Sequence, residues 1–343
     1  MSLEGVQSQS EWDGALIRRL GCRYPIVSAP MAMAAGAELA LAVAKAGGVG
    51  LIGGGYGDEH WLLPQLDPAT QQGRLASSVG VGFITWSLKP DVLALALKFK
   101  PAVLMLSFGD PRTFADQIHA ADVPLMCQCQ TLEHVEWALQ AGASFIVAQG
   151  SEAGGHGARR STLTLVPEVA DRLKRWNEAL LARGVYEPVV LLAAGGIADG
   201  RGLAAALMLG ADGVLMGTRF WASQEALVPK NHHQALLQAQ GDSTIRTNVP
   251  DVLRKLPWPP GYSARVARNA VIERWHERTH ELQGTELERH HQAYLAALQR
   301  GDPNECAVWF GEAAGLIDSI APAQDLMHQI VEQAKEVLTR QQK

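Results

Sequence analysis

Four cysteines among 343 residues, Cys22, Cys127, Cys129 and Cys306, are too scattered for a disulfide framework, and no pair of CxxC motifs offers a zinc site. Cys127-Gln128-Cys129 is half of such a site at most. It lies in a strand-like stretch, 124–129, where alternation sends both thiols to one face and Gln128 to the other, so structural thiols and no metal are expected. Long apolar runs are also missing: none approaches about 18 residues, and residues 1–19 are polar and mixed in charge, unlike a signal peptide. A cytoplasmic protein with no membrane partner is therefore expected. Excess positive charge is absent too, since the formal net charge is -5 and the basic residues are spread along the chain. Nucleic acid is not an expected partner. No Gly-Lys-Ser/Thr run occurs, so a nucleoside triphosphate with magnesium is not suggested.

What is present is glycine, 34 residues of it, with 47% hydrophobic residues, a composition that suits an enzyme with many tight turns between strands and loops. Apolar runs of strand length alternate with stretches of helical spacing. The strands are read at 25–30, 49–53, 79–85, 103–108, 125–129, 145–148, 189–194 and 213–216. Helices are read between them, among them 91–99, 111–120, 132–141 and 164–181, and Asp199 is placed to cap another that stops at Gly210. Eight such units predict an α/β fold, a (β/α)8 TIM barrel; an open doubly wound sheet is the alternative. Gly48-Val49-Gly50-Leu51-Ile52-Gly53 matches the dinucleotide pattern GxGxxG, but it follows a helix and is itself a strand, which is the wrong context for that site.

From 221 to 315 no strand pattern is visible, and the segment, rich in charge, histidine and tryptophan, is broken by Pro257-Trp258-Pro259-Pro260. It predicts a helical insertion after strand eight, either a lid over the mouth of the barrel or a packing or dimer surface. Residues 1–220 and 316–343 would then form the barrel, with 323–338 its last helix.

Barrel enzymes bind ligands at the C-terminal ends of their strands, which selects the residues to read. Strand one ends in Ala29-Pro30-Met31, strand three in Thr85, and strand five carries Gln128. Strand six is followed by Ser151-Glu152-Ala153-Gly154-Gly155-His156-Gly157, which sets one imidazole among glycines that let a flat ligand approach the backbone. Strands seven and eight end in Gly195-Gly196 and Gly217-Thr218, whose N–H groups suit a phosphate dianion, and flavin mononucleotide (FMN) fits that pattern.

PIVSAPM at 25–31, LAVAKAGGVG at 41–50, SEAGGHG at 151–157, LAAGGIADGRG at 192–202 and LGADGVLMGTRF at 209–220 together resemble the nitronate monooxygenase family, formerly 2-nitropropane dioxygenases, which are FMN-dependent barrels. DVLRKLPWPPGY at 251–262 is weakly similar to the same family. The resemblance implies that Ala29, Pro30 and Met31 line the flavin through backbone atoms, and that Ala194, Gly195, Gly196, Gly217 and Thr218 bind its phosphate. It implies that Gly154 and Gly155 flank the ring, that Thr85 and Gln128 face it, and that His156 is catalytic. Phe83 is a departure, since many relatives carry asparagine there. The implied reaction takes an alkyl nitronate and O2 to a carbonyl compound and nitrite, with His156 removing the α-proton of a neutral nitroalkane or holding a nitronate oxygen. Two alternatives remain at this point: an NAD(P)H-dependent flavin reductase of quinones or enoyl thioesters on the same barrel, and a barrel that binds a phosphate ligand without redox chemistry. A homodimer is admitted. His232, His233 and Trp258 are expected to serve packing or to face solvent.

Overall fold

The computed structural model describes residues 12–71 and 74–340, so the first part of the polar leader lies outside it. Eight strands, β1 (Ile26–Ser28), β2 (Val49–Gly55), β3 (Val79–Ile84), β4 (Leu104–Ser107), β5 (Leu125–Cys129), β6 (Phe145–Gln149), β7 (Val190–Ala194) and β8 (Gly213–Met216), form a closed, all-parallel barrel. Each pairs with its sequence neighbours, and β8 closes on β1 with Val27 opposite Leu215. Helices cross between them: α1 (Ala37–Lys45), α2 (Glu59–Leu66), α3 (Pro90–Lys98), α4 (Ala115–Ala120), α5 (Leu132–Gln140), α6 (Thr162–Ala182) and α7 (Gly200–Met208). The expected TIM barrel is the observed one.

Both faces of every strand are covered, which is why the strands read as unbroken apolar runs. Val27, Leu51, Met105, Met126, Val147, Leu192 and Leu215 fill the inside. Ile26, Ile52, Leu104, Ile146 and Val214 point outward onto the helices. Strand alternation places Cys127 and Cys129 in that outer layer, as the sequence indicates. A short helix, Ala15–Leu20, closes the bottom with Leu16 and Leu20, which leaves the C-terminal strand ends as the mouth of the cylinder among the described residues.

The GxGxxG match is strand β2, and its glycines serve packing. A Cβ on Gly50 would stand 2.0 Å from the carbonyl oxygen of Ala40 in α1. Only glycine lets helix and strand approach this closely, so Gly50→Ala is expected to cost about 3 kcal/mol, the upper end of overpacking costs. A urea midpoint equal to that of the parent chain would contradict this.

After β8 the chain leaves the barrel and returns as α8 (Ala323–Arg340), which packs against α7 and α1. The segment between carries helices Lys230–Leu237, Val249–Arg254, Ala270–Trp275 and Gly284–Arg300, the last three around a core that includes Leu253, Val266, Ile272, Tyr294 and Ala297. The expectation of no strand here is wrong. Thr244–Thr247 and Ser263–Ala267 form an antiparallel ribbon, and the second of these pairs with Gly155–Gly157 of the barrel, placing Ala264 opposite His156. Arginines at 246 and 265 hide the apolar alternation, and the partner strand lies far off in sequence.

Candidate active site

The turns after β1, β6, β7 and β8 converge at the mouth. A Cβ on Gly217 would meet Ala29 Cβ at 3.7 Å and Met31 Sδ at 3.9 Å, which brings the ends of β1 and β8 side by side. Gly195 (φ +100°) and Gly196 (φ +73°) lie against the β6 loop, where the same test meets Gly150 O at 2.9 Å and Glu152 Cβ at 3.3 Å. Their left-handed backbone turns the chain at the end of β7 without strain. Gly154 packs on the backbone of Phe310 and Gly311, Gly311 N donates to Thr218 Oγ1 at 3.0 Å, and the place where a Gly155 side chain would stand has nothing within 4 Å. Ala194 is buried at the top of β7, and its carbonyl accepts from Gly150 N at 2.8 Å. Pro30 folds over Gly82, and Thr85 is buried at the end of β3 with its Oγ1 lacking a partner among the described residues. Gln128 is half-buried on the inner face of β5, two residues beyond Met126. Phe83 stays out of the mouth, its ring packed over Gly54 in the outer layer.

His156 is held in a strand. Gln149 Nε2 donates to its carbonyl at 3.2 Å, Gln130 Nε2 donates to Gln149 Oε1 at 2.9 Å, and His134 Nδ1 lies 3.0 Å from Gln130 Oε1. Behind this strand Arg246 Nε and Arg265 Nε both donate to Ser151 O, at 3.1 and 2.9 Å, which fastens the insertion to the β6 loop. Burial, with the neighbouring charge of Arg265, lowers the Arg246 guanidinium to about 10. Glu152 accepts from Thr162 N and Thr162 Oγ1, so its carboxylate caps the start of α6, which lacks a cap from Ser161.

The imidazole itself is buried, and its Nε2 lies 3.0 Å from each carboxylate oxygen of Asp251. A carboxylate only accepts, so Nε2 carries the proton and Nδ1 is left as the lone-pair nitrogen of a neutral ring. Among the described residues Nδ1 has no hydrogen-bond partner. Asp251 also accepts from Arg254 Nη2 at 3.0 Å. Burial pulls His156 below its ordinary value; the hydrogen bond and charge of Asp251 push back, and the charges of Arg254 and Arg246 act with burial. The resting ring is thus neutral near pH 7 and oriented to accept a proton.

Trp258 lies flat on this ring, with centroids 3.4 Å apart and an interplanar angle of 5°. The expectation that Trp258 serves packing or faces solvent is corrected here. Its indole Nε1 donates to Tyr56 Oη at 3.1 Å, and Trp86, Phe108 and Tyr262 meet it edge to face. His232 and His233 keep the expected structural roles, the first buried beside Cys306 Sγ at 3.6 Å and the second on the carbonyl of Trp221 at 2.9 Å. Asp251, Arg254 and the aromatic group are the site residues missed in the sequence. The weak similarity at 251–262, which spans Asp251, Arg254 and Trp258, is the signal that held them.

The chain as a whole is similar to known proteins. Residues 74–333 match a family model described as nitronate monooxygenase. A nitronate monooxygenase of Neurospora crassa is 31% identical over 98% of this chain and 97% of its own length, and the nitronate monooxygenase npaC of Metarhizium robertsii is 35% identical over 92% of each. Among solved structures, FabK from Thermotoga maritima superposes with a TM-score of 0.79 at 28% identity, covering 95% of this chain and 97% of that one. A nitroalkane oxidase from Streptomyces ansochromogenes, 24% identical, shares the fold with a TM-score of 0.77 over 95% of this chain and 99% of its own.

Proposed function

The chain belongs to the nitronate monooxygenase family, and on that premise we propose that it is an FMN-dependent oxidoreductase that takes alkyl nitronates and O2 to a carbonyl compound and nitrite. Neutral nitroalkanes enter the same reaction after losing their α-proton to His156. The observation that carries the reading is the imidazole fixed by Asp251 beside converging glycine turns. A bound flavin would supply the electron acceptor for the nitronate and the site at which dioxygen is reduced.

The residues present fit that group. Thr85 Oγ1 is a buried polar atom lacking a partner among the described residues, and Gly155 leaves open space where any side chain would intrude. Ala194, Gly195, Gly196, Gly217 and Thr218 would hold the phosphate through backbone N–H groups, and Ala29, Pro30, Met31, Gln128, Gly154 and Gly155 would border the ring. His156 Nδ1 takes the α-proton of a nitroalkane, and Asp251 stabilises the imidazolium that results. The face-on indole of Trp258 adds a cation–π contribution to the same charged state. With a nitronate no proton need leave, and only a ring already protonated at Nδ1 can hold a nitronate oxygen.

This reading gives a signed pH dependence. Only the unprotonated ring is a base, and burial holds it below its ordinary value of 6.5. For a neutral nitroalkane kcat/KM should therefore rise with pH to a plateau, with its midpoint below 6.5, whereas a pre-formed nitronate shows no such rise. A midpoint above 6.5 would contradict the assignment.

The purified chain is tested by its absorbance spectrum, then by nitrite release from ethyl nitronate in air and by anaerobic mixing with NADH. Flavin absorbance with nitrite release is the expected result. Rapid bleaching by NADH without nitrite formation favours the reductase, and a chain that stays colourless after reconstitution with FMN favours a non-redox barrel.

A further inference from the structure

Resting on the reading above, we propose that the mouth selects nitronates and nitroalkanes bearing an aryl or arylalkyl substituent, which lies against an aromatic wall next to His156.

Aromatic residues are 6% of the chain, yet five of them gather here. Tyr56 follows β2, Trp86 follows β3, Phe108 follows β4, and Trp258 and Tyr262 come from the insertion. Their centroids lie 5.2–6.2 Å apart at interplanar angles of 69–82°, the edge-to-face geometry in which ring edges meet ring faces. All five keep part of their surface exposed, unlike the fully buried rings of Phe83, Phe145 and Phe310 that only pack.

Two features mark this wall as more than a joint between insertion and barrel. Phe108 stands at φ +64°, a conformation that bulky side chains rarely adopt, and it carries its ring to 6.2 Å from the His156 ring. Trp86 Nε1 is a buried donor without a partner among the described residues, so the group as it stands leaves a polar atom unsatisfied. The cation beside the wall, Arg254, is engaged by Asp251 and lies over the Trp309 ring at 5.0 Å. A substituent carrying a carboxylate would compete with Asp251 for it, whereas a flat apolar ring meets edges and faces already displayed.

The flavin-loaded protein is assayed for nitrite with three nitronates, those of nitroethane, 1-nitro-2-phenylethane and 3-nitropropanoate. We expect kcat/KM for the phenyl compound to exceed that for ethyl nitronate by about ten-fold, the value of one or two ring contacts beyond area burial, with the carboxylate compound poorest. Trp86→Leu and Tyr56→Leu should each bring the phenyl-to-ethyl ratio of kcat/KM close to one, a ratio taken within each variant so that any loss common to both substrates cancels. Equal losses on both substrates would make the wall a strut and overturn the proposal, as would a preference for 3-nitropropanoate. If no nitronate yields nitrite, the reading of the reaction fails, and the wall is judged separately by titrating 1-nitro-2-phenylethane against tryptophan fluorescence. Saturable quenching that weakens in Trp86→Leu supports it, and absence of quenching overturns it.

Discussion

Asp251→Asn is expected to lower kcat for nitroethane by about 10²–10⁴-fold while ethyl nitronate turnover falls by less than about ten-fold. The carboxylate is the only acceptor that Nε2 of His156 has among the described residues, at 3.0 Å to each oxygen. An amide there can turn its NH2 toward the ring and drive the proton to Nδ1, which removes the base without emptying the site. Asparagine is nearly isosteric, so the fold should survive, although Arg254 Nη2 loses the charge on its partner. The two substrates separate the roles: one must give up a proton, and the other already has. Nitrite assays on both, at a pH above the plateau midpoint, decide the matter. If both rates fall together, Asp251 is a structural anchor for the insertion and not the residue that positions the base.

His156→Ala should lose most turnover with neutral nitroalkanes, again by about 10²–10⁴-fold, and retain any flavin absorbance, because the turns at 194–196 and 217–218, proposed above to hold the phosphate, do not involve the imidazole. Combined with Asp251→Asn it should lose little more than either change alone, since the pair acts as a unit and removing one member already disables the other. Full activity toward nitroethane in His156→Ala would remove the histidine from the mechanism. The cavity left beneath Trp258 is a further consequence: its indole loses the ring that it covers at 3.4 Å, so part of the loss is expected to appear as a changed KM.

The barrel was legible because its grammar is local. Each apolar run with its terminating glycine or proline specifies a strand end within a few residues, and closure adds only the order in which those ends meet. The mouth glycines were legible for the same reason, as turns whose backbone needs no side chain. Asp251 was not, since it meets His156 across 95 positions and no spacing rule links them. The ribbon at 244–247 and 263–267 was hidden by Arg246 and Arg265, charged residues that lie beneath the β6 loop with the Nε of each donating to Ser151 O. Trp258 misled through its neighbours: prolines on both sides announce a break in structure, whereas here they stiffen the loop that lays the indole on the imidazole. Cys127 and Cys129 were read correctly because strand alternation alone decides their face.

The pairing of Gly155–Gly157 with Ser263–Ala267 also sets an order of events during synthesis. Six of the eight staves have left the ribosome by the time residue 157 emerges, but the backbone edge that receives this short strand is made about a hundred residues later. A nascent chain can therefore round up much of its cylinder while the imidazole still lacks both its acid neighbour and its indole cover. The imidazole gains its carboxylate partner and its indole cover only after all eight staves are made, and the closing helix α8 follows later still.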